Sequence, residues 1–218
     1  MPQTKLQWNR LMEITDYILI GGGGHARVVS SIIGAQKDAQ LEGFFDSNLK
    51  LKFLDGIENL GIYTPEFSPN ALAIIAIGDN QIREQLAEII KHTFGCLVYP
   101  TAAIDRLCSL GGGTVVMHQA FIQRGAQVGK HGIINTASSI DHDCVLGDFV
   151  HIAPNAALCG GVHIGHGTLI GAGAIIIPDI KIGNRVTVGA GAVVTQDIPD
   201  GATVVGNPAK IIHANEEL

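Results

Sequence analysis

Charge is scarce in this chain: Asp, Glu, Lys and Arg make up 16% of its 218 residues, and aromatic residues only 5%. The 14 Lys and Arg form no cluster, and the formal net charge is −6, which argues against nucleic acid or a polybasic membrane patch. So few aromatics leave no stacking platform for single strands. No apolar run approaches the roughly 18 residues needed to span a bilayer. Met1 to Ile14 is interrupted by Lys5, Arg10 and Glu13 and lacks a signal-peptide core, so a cytoplasmic protein with no membrane insertion is expected. The cysteines Cys96, Cys108, Cys144 and Cys159 show no CxxC spacing. That removes the usual zinc and redox motifs and predicts reduced, structural thiols.

What the chain has instead is period. Sixteen aliphatic residues recur every six positions, from Ile104, Leu110 and Val116 through Ile140, Leu146 and Ile152 to Val188 and Val194. Aliphatic-Gly pairs recur every 18, at Leu110-Gly111, Val128-Gly129, Leu146-Gly147, Ile164-Gly165 and Ile182-Gly183. Positions two before the ladder residues are mostly small, as at Ala120, Ala126, Ser138, Cys144, Ala156 and Ala174. An α-helix repeats its faces at 3.6 and cannot use a period of six. Triangular coils can, with three short strands per coil, each sending one aliphatic side chain inward. The ladder therefore predicts a hexapeptide parallel β-helix over about 101–199, followed by a tail, 200–218, that leaves the repeat.

Before the ladder the period changes. Tyr17-Ile18-Leu19-Ile20 reads as a buried strand, followed by Gly21-Gly22-Gly23-Gly24-His25-Ala26 and a helix from about Arg27 to Gly34. Further strands are read at Leu41–Phe45 and Ala71–Ile77, and a helix at Gln81–Lys91. This is a small parallel α/β module over about 15–97, about half of a dinucleotide-binding fold. Its Gly-rich turn opens a helix, where free peptide N–H groups suit a phosphate. Gly21-x-Gly23-x-x-Ala26 fits the dinucleotide fingerprint, with Asp46 placed to meet a ribose hydroxyl. Half a fold suits a mononucleotide or nucleotide-sugar diphosphate better than NAD. Gly23, Gly24, His25, Asp46, Ser47, Gly78 and Asn80 all fall beyond strand carboxyl ends, where ligands of open α/β sheets collect.

Six histidines lie in the repeat: His118, His131, His142, His151, His163 and His166. Stacked metal ligands within one chain would be 18 apart, and no pair is, so no metal site is expected. His142 is flanked by Asp141 and Asp143, and acids beside an imidazole stabilise its protonated form, as a general base requires. In a regular strand neither acid could reach the ring, whereas at a coil corner either could. Gly160 follows His142 by 18 residues and should stack one coil above it, about 4.8 Å away, with its N–H a candidate donor to an oxyanion.

The segments Ile20–Ala26, Ile75–Asn80, Ile134-Asn-Thr136, Asp141–Cys144, His151–Pro154 and Val205–Lys210 together resemble those of the sialic-acid-type sugar O-acyltransferases. Among these hexapeptide enzymes the chain is most similar to acetyl-CoA-dependent N-acetyltransferases of nucleotide-linked 4-amino-4,6-dideoxy sugars, the bacillosamine and perosamine type. The resemblance implies a left-handed β-helix and a homotrimer with active sites between subunits. It implies that Gly23, Gly24, His25, Asp46, Ser47 and Gly78 contact the nucleotide sugar, and that Asn135 approaches the amino sugar. By the same resemblance His142 is the base, and Asp143 (many relatives carry Glu) raises its basicity. His151 meets acetyl-CoA, the Gly160 amide meets the thioester oxygen, Ala172 and Ala190 line the pantetheine path, and Pro208 and Lys210 lie near the CoA nucleotide. The expected reaction is acetyl transfer to the C4 amine of a UDP-, GDP- or dTDP-linked sugar, in surface-glycan synthesis, with no metal. O-acetylation of a sialic-acid-like sugar is the alternative. A metal-dependent lyase leaves the glycine loop unexplained, and a silent binding or scaffolding module is the remaining class.

Overall fold

A computed structural model describes residues 14–213. The opening stretch read for targeting, 1–13, and the end of the tail, 214–218, lie outside the described residues. Among the described residues no helix is long and apolar enough to cross a membrane.

The N-terminal module begins with β1 (Thr15–Ile20), α1 (Gly24–Gly34) and β2 (Ala39–Phe45). A two-residue hairpin follows, β3 (Phe53–Leu54) and β4 (Ile57–Glu58), and then β5 (Leu72–Ile75) and α2 (Asn80–Ile89). The sheet is parallel in the order β2-β1-β5, which sends the carboxyl ends of its strands to one edge. Helix α1 starts three residues before the Arg27 expected from sequence, directly after Gly23, because a glycine-rich turn has no β-branched or bulky residue that must clear the sheet.

The solenoid follows. Strands of two residues, each ending on a ladder residue, stack 18 apart in register on three faces, as in Phe121↔Ser139, Gln127↔Val145 and Ile133↔His151. The first face holds 103–104 to 193–194, the second 109–110 to 181–182, and the third 97–98 to 203–205. Inside, the ladder residues and the small residues two before them form one continuous core, including Ala120, Ile122, Cys144, Leu146, Ala174 and Ile176. Every corner from Gly113 to Gly191 places the residue three before the ladder position at positive φ. Glycine fills some of these positions, but Asp143 (φ 59°), Asn155 (59°) and Asp179 (62°) fill others.

Coil pairing extends beyond the 101–199 read from the ladder. Val98 pairs with Val116 before it, and Val204 with Val188 after it. The last coil is two residues short: Ile198 bridges Ile182 and Val204 pairs Val188, 16 positions on instead of 18. That deletion hid it from a strict count of six. The tail proper turns back as Lys210–His213, antiparallel to Thr203–Val205.

The module docks on the third face and on the corner between the second and third faces. Tyr17, Leu19, Val29, Ile32 and Leu97 form one core with Val115, Met117 and Ile133 of the solenoid. His131 is 4% exposed, stacked on Phe149 with centroids 4.8 Å apart and edge-on to Phe94 at 4.3 Å, and its Nδ1 has no partner. Burial and the nearby Arg83 charge push its pKa from 6.5 down to about 4. His25 and His151 fall to about 4 as well, chiefly through burial.

These shifts make the fold acid-sensitive. Between pH 6.5 and 4 the unfolded chain takes up protons on these histidines that the native state refuses. Their stabilisation is therefore complete above about pH 6.5 and lost as pH falls toward 4, by up to about 1.4 kcal/mol per pH unit for each. The three are not additive, since His25 and His151 influence each other. Calorimetry should show Tm falling steeply below pH 6.5, and less steeply in His131→Phe, which keeps the ring stack without a titrating group. Equal slopes in the two proteins would remove His131 from this role.

Candidate active site

The corner between the first and second faces carries Asp141, His142 and Asp143. With Asp143 in the left-handed region, its side chain swings to the side of its predecessor, which a strand would forbid. His142 Nδ1 lies 3.0 Å from Asp143 Oδ2, so Nδ1 carries the proton and Nε2 is bare in the neutral ring. Asp141 holds the backbone instead, its Oδ1 accepting the His142 N–H at 2.8 Å. The Asp143 hydrogen bond raises the imidazole pKa above 6.5, helped by the charges of Asp141 and Asp179. The imidazole side chain is 60% exposed and faces a cavity of about 410 Å³ lined by Cys159, Gly160, Gly161, Pro178 and Asp179.

Gly160 sits directly over that ring. A Cβ there would stand 2.6 Å from both Cε1 and Nε2 of His142, so only glycine leaves the imidazole its place. The neighbouring amides are bound, Cys159 N–H to Ile176 O and Gly161 N–H to His142 O, both at 3.0 Å. Among the described residues the Gly160 N–H meets no acceptor. Ala172 and Ala190 stack on the corner between the third and first faces, both exposed, with Gly191 N–H bound to Ala172 O at 2.8 Å. The tail is tied to that corner: Ala209 N–H donates to Val193 O and Val193 N–H to Gly206 O, leaving Pro208 and Lys210 exposed beside it.

The glycine loop is built differently at each position. A Cβ on Gly22 would strike Leu51 and Phe44, so packing alone requires that glycine. A Cβ on Gly23 or Gly24 would meet nothing within 4 Å, which leaves open space above an uncapped helix start. Asp46 is committed inside the loop: Oδ2 accepts Gly22 N–H and Oδ1 accepts Asn48 N–H, both at 2.8 Å. Asp46 and Ser47 also border a cavity of about 300 Å³ at the strand ends, with Ile62, Tyr63, Ile77 and Leu86 as its apolar wall.

His25, Asn135, His151 and Gly78 come together where α1 meets the solenoid. Asn135 Nδ2–H donates to His151 Nε2 at 3.1 Å, which leaves the ring proton on Nδ1, and the nearby Gly78 backbone offsets part of the lowering that burial imposes on the ring. His25 Nε2 is buried with no partner, close enough to His151 for each ring to feel the other's charge. His151, expected on the acetyl-CoA side, thus stands among the residues expected to meet the sugar. Among the described residues no group of His, Cys, Asp and Glu could hold a metal ion.

This two-module arrangement has counterparts. Residues 16–90 match the PglD N-terminal domain, and 143–176 and 161–196 match the bacterial transferase hexapeptide (six repeats). The UDP-N-acetylbacillosamine N-acetyltransferase of Bacillus subtilis is 38% identical over 109 residues, 45% of this chain and 50% of that protein. The chain thus aligns with about half the length of that relative. GDP-perosamine N-acetyltransferase of Escherichia coli O157:H7 is 30% identical over 170 residues, 73% of this chain and 77% of that one. The acetyltransferase domain of PglB from Neisseria gonorrhoeae, solved with acetyl coenzyme A, superposes with a TM-score of 0.84 at 36% identity, covering 91% of this chain and 100% of that one. The chain belongs to the hexapeptide acetyltransferases that carry a PglD N-terminal domain.

In this hexapeptide acetyltransferase the His142 corner and the glycine loop lie apart within one chain. No residue of the N-terminal module lines the His142 cavity, and His142 does not line the cavity walled by Ile62 and Tyr63. Sequence reading missed Arg83, which ties the module to the solenoid, and the apolar wall of Ile62 and Tyr63. It also missed Asp179, whose carboxylate occupies the place a Gly161 Cβ would take. Only Asp179 had a signal in the period, since it follows Asp143 by 36 residues, two coils, on the same column.

Proposed function

We propose that this protein transfers the acetyl group of acetyl-CoA to the C4 amine of a nucleotide-linked 4-amino-4,6-dideoxy sugar, with each site formed between two subunits of a homotrimer. The observation that carries the reading is the His142 corner: a carboxylate on Nδ1, a bare Nε2, and an unengaged peptide N–H one coil above. The unprotonated amine attacks the thioester carbonyl while Nε2 takes its proton. The oxyanion of the tetrahedral intermediate is met by the Gly160 N–H. Collapse expels CoA thiolate, which the imidazolium reprotonates. The amine is itself the nucleophile, so no acyl-enzyme forms. Asp143 stabilises the imidazolium.

The acceptor is read at the glycine loop of a neighbouring subunit. Its diphosphate lies over Gly23 and Gly24, its base in the apolar cavity beside Ser47, and its sugar toward His25 and Asn135. Asp46 braces the loop through both oxygens, each of which keeps a lone pair for the nucleotide's ribose hydroxyl. Acetyl-CoA runs past Ala172 and Ala190 to the folded-back tail with Pro208 and Lys210.

Release of CoA thiol from acetyl-CoA, followed against UDP-, GDP- and dTDP-linked 4-amino-4,6-dideoxy sugars with sialic acid in parallel, tests the reaction. Turnover with one amino sugar is the expected result and identifies the nucleotide. Turnover with sialic acid alone would transfer the chemistry to a hydroxyl acceptor, and silence with all four would end the proposal.

A further inference from the structure

At each solenoid corner the residue four before the ladder position, unless it is proline as at Pro154 and Pro178, has a peptide N–H that no neighbouring coil accepts through its backbone. Between the second and third faces the chain closes three of these groups with a side chain from the coil above. Asp148 Oδ1 accepts Lys130 N–H at 2.6 Å, Asn184 Oδ1 accepts His166 N–H at 2.9 Å, and Asp200 Oδ1 accepts Asn184 N–H at 2.8 Å. In each pair the acceptor holds the equivalent position one coil up, 18, 18 and 16 residues on. At the His142 corner the amide of His142 is closed locally by Asp141. The next one, Gly160, has Pro178 above it, 18 residues on. A proline ring carries no acceptor, and Pro178 borders the cavity that His142 faces. An Asp or Asn in its place would stand where Asp148 and Asn184 stand over their own partners.

We infer that Pro178 is a positioning residue, whose work is to deny the Gly160 N–H an acceptor inside the protein and so keep it free for the reacting oxygen. The inference rests on the reading that Gly160 receives the thioester oxyanion. A donor already engaged by a side chain would have to break that bond before it could serve, and preorganisation would be lost. Among the described residues the corner amides of Gly112, His118, Arg124 and Asp148 also lack such a cap, and what sets Gly160 apart is its place over the His142 ring.

The test is to install the missing cap. Pro178→Asn should lower kcat by roughly 10²–10³-fold, the loss associated with removing one oxyanion donor, with KM for acetyl-CoA changed little. The acidic limb of its pH profile should stay where it is, because His142 and Asp143 are untouched. Pro178→Ala, which removes the ring but adds no acceptor, should stay within about threefold of the parent, on the same argument. Pro178→Asp supplies a second cap if the Asn variant does not fold. Independently of any variant, amide hydrogen exchange in the parent protein should find Gly160 unprotected, while Lys130, His166 and Asn184 are protected. A capped variant as active as Pro178→Ala would overturn the inference, as would equal losses in the two or a protected Gly160 amide. Absence of acetyl transfer in the parent protein would instead overturn the functional reading, and this inference with it.

Discussion

His142→Ala should lose roughly two to four powers of ten in kcat, the range that general-base catalysis supplies, while still binding acetyl-CoA and the nucleotide sugar. Binding survives because the ring lies at the edge of an open cavity and supports no buried packing. Equilibrium dialysis against CoA, run beside turnover, separates the two effects. A variant that keeps near-parental turnover would remove His142 from the chemistry. The same residue should set the acidic limb of kcat/KM for acetyl-CoA, measured with the amino sugar saturating. His142 must be neutral to act, and Asp143 raises its pKa above 6.5, so activity falls as pH drops through that raised value. Asp143→Asn removes the largest cause of the shift and should move the limb to lower pH. It should also lower the plateau, because a less basic imidazole accepts the amine proton less well.

The separation of His142 from the glycine loop gives the same variant a second use. His142→Ala spoils the corner of its own subunit, and His25→Ala spoils the acceptor module. If a site takes its corner from one subunit and its module from the next, subunits of the two variants co-refolded in equal amounts rescue each other. About one quarter of the sites then hold two intact halves, by random mixing in a ring. A site built within one chain gives no rescue at all.

Period made the solenoid legible and also set the limit of the reading. Inward positions such as Ile134 and Ile152 accept only aliphatic residues, so the rule is written at every coil and survives without any knowledge of contacts. Outward positions obey no such rule. At the His142 corner the order of residues leaves both acids open, and backbone settles it: positive φ at Asp143 turns that side chain toward the ring, while Asp141 bonds the peptide N–H. Fingerprint reasoning says less of Asp46 than the backbone does, because an acid at that distance from a glycine loop can serve the ligand, the loop or both, and its Oδ2 holds Gly22. His151 shows a related limit, since stacking says which residues share a column but not what a docked module lays against it. The two-residue deletion before Ile198 shows the converse weakness, where a real coil escapes a strict count.

Arg83→Met should destabilise the protein by about 3–5 kcal/mol, a loss comparable with breaking a buried ionic contact. The guanidinium is 1% exposed and no carboxylate touches it. It donates instead to Ile77 O, Gly78 O and Asn80 Oδ1 of the module and to His131 O, Phe149 O and Val150 O of the solenoid, at 2.7–3.4 Å. Methionine fills much of the volume but leaves buried carbonyls without donors, each costing about 1–3 kcal/mol where water cannot enter. Arg83→Lys keeps the charge yet cannot reach both sets of acceptors, so its loss should be smaller but definite. Along α2, Arg83 shares the spacing of Leu86, Ala87 and Ile90, the side turned inward, and that placement was the only hint in the sequence. The consequence reaches the proposed acceptor site, since Arg83 donates to the Gly78 carbonyl and its charge lowers both His25 and His151. In Arg83→Lys, KM for the nucleotide sugar should therefore rise more than KM for acetyl-CoA. Urea unfolding gives the stability and steady-state kinetics the asymmetry; parental values in both would show that the module is held by its apolar contacts alone.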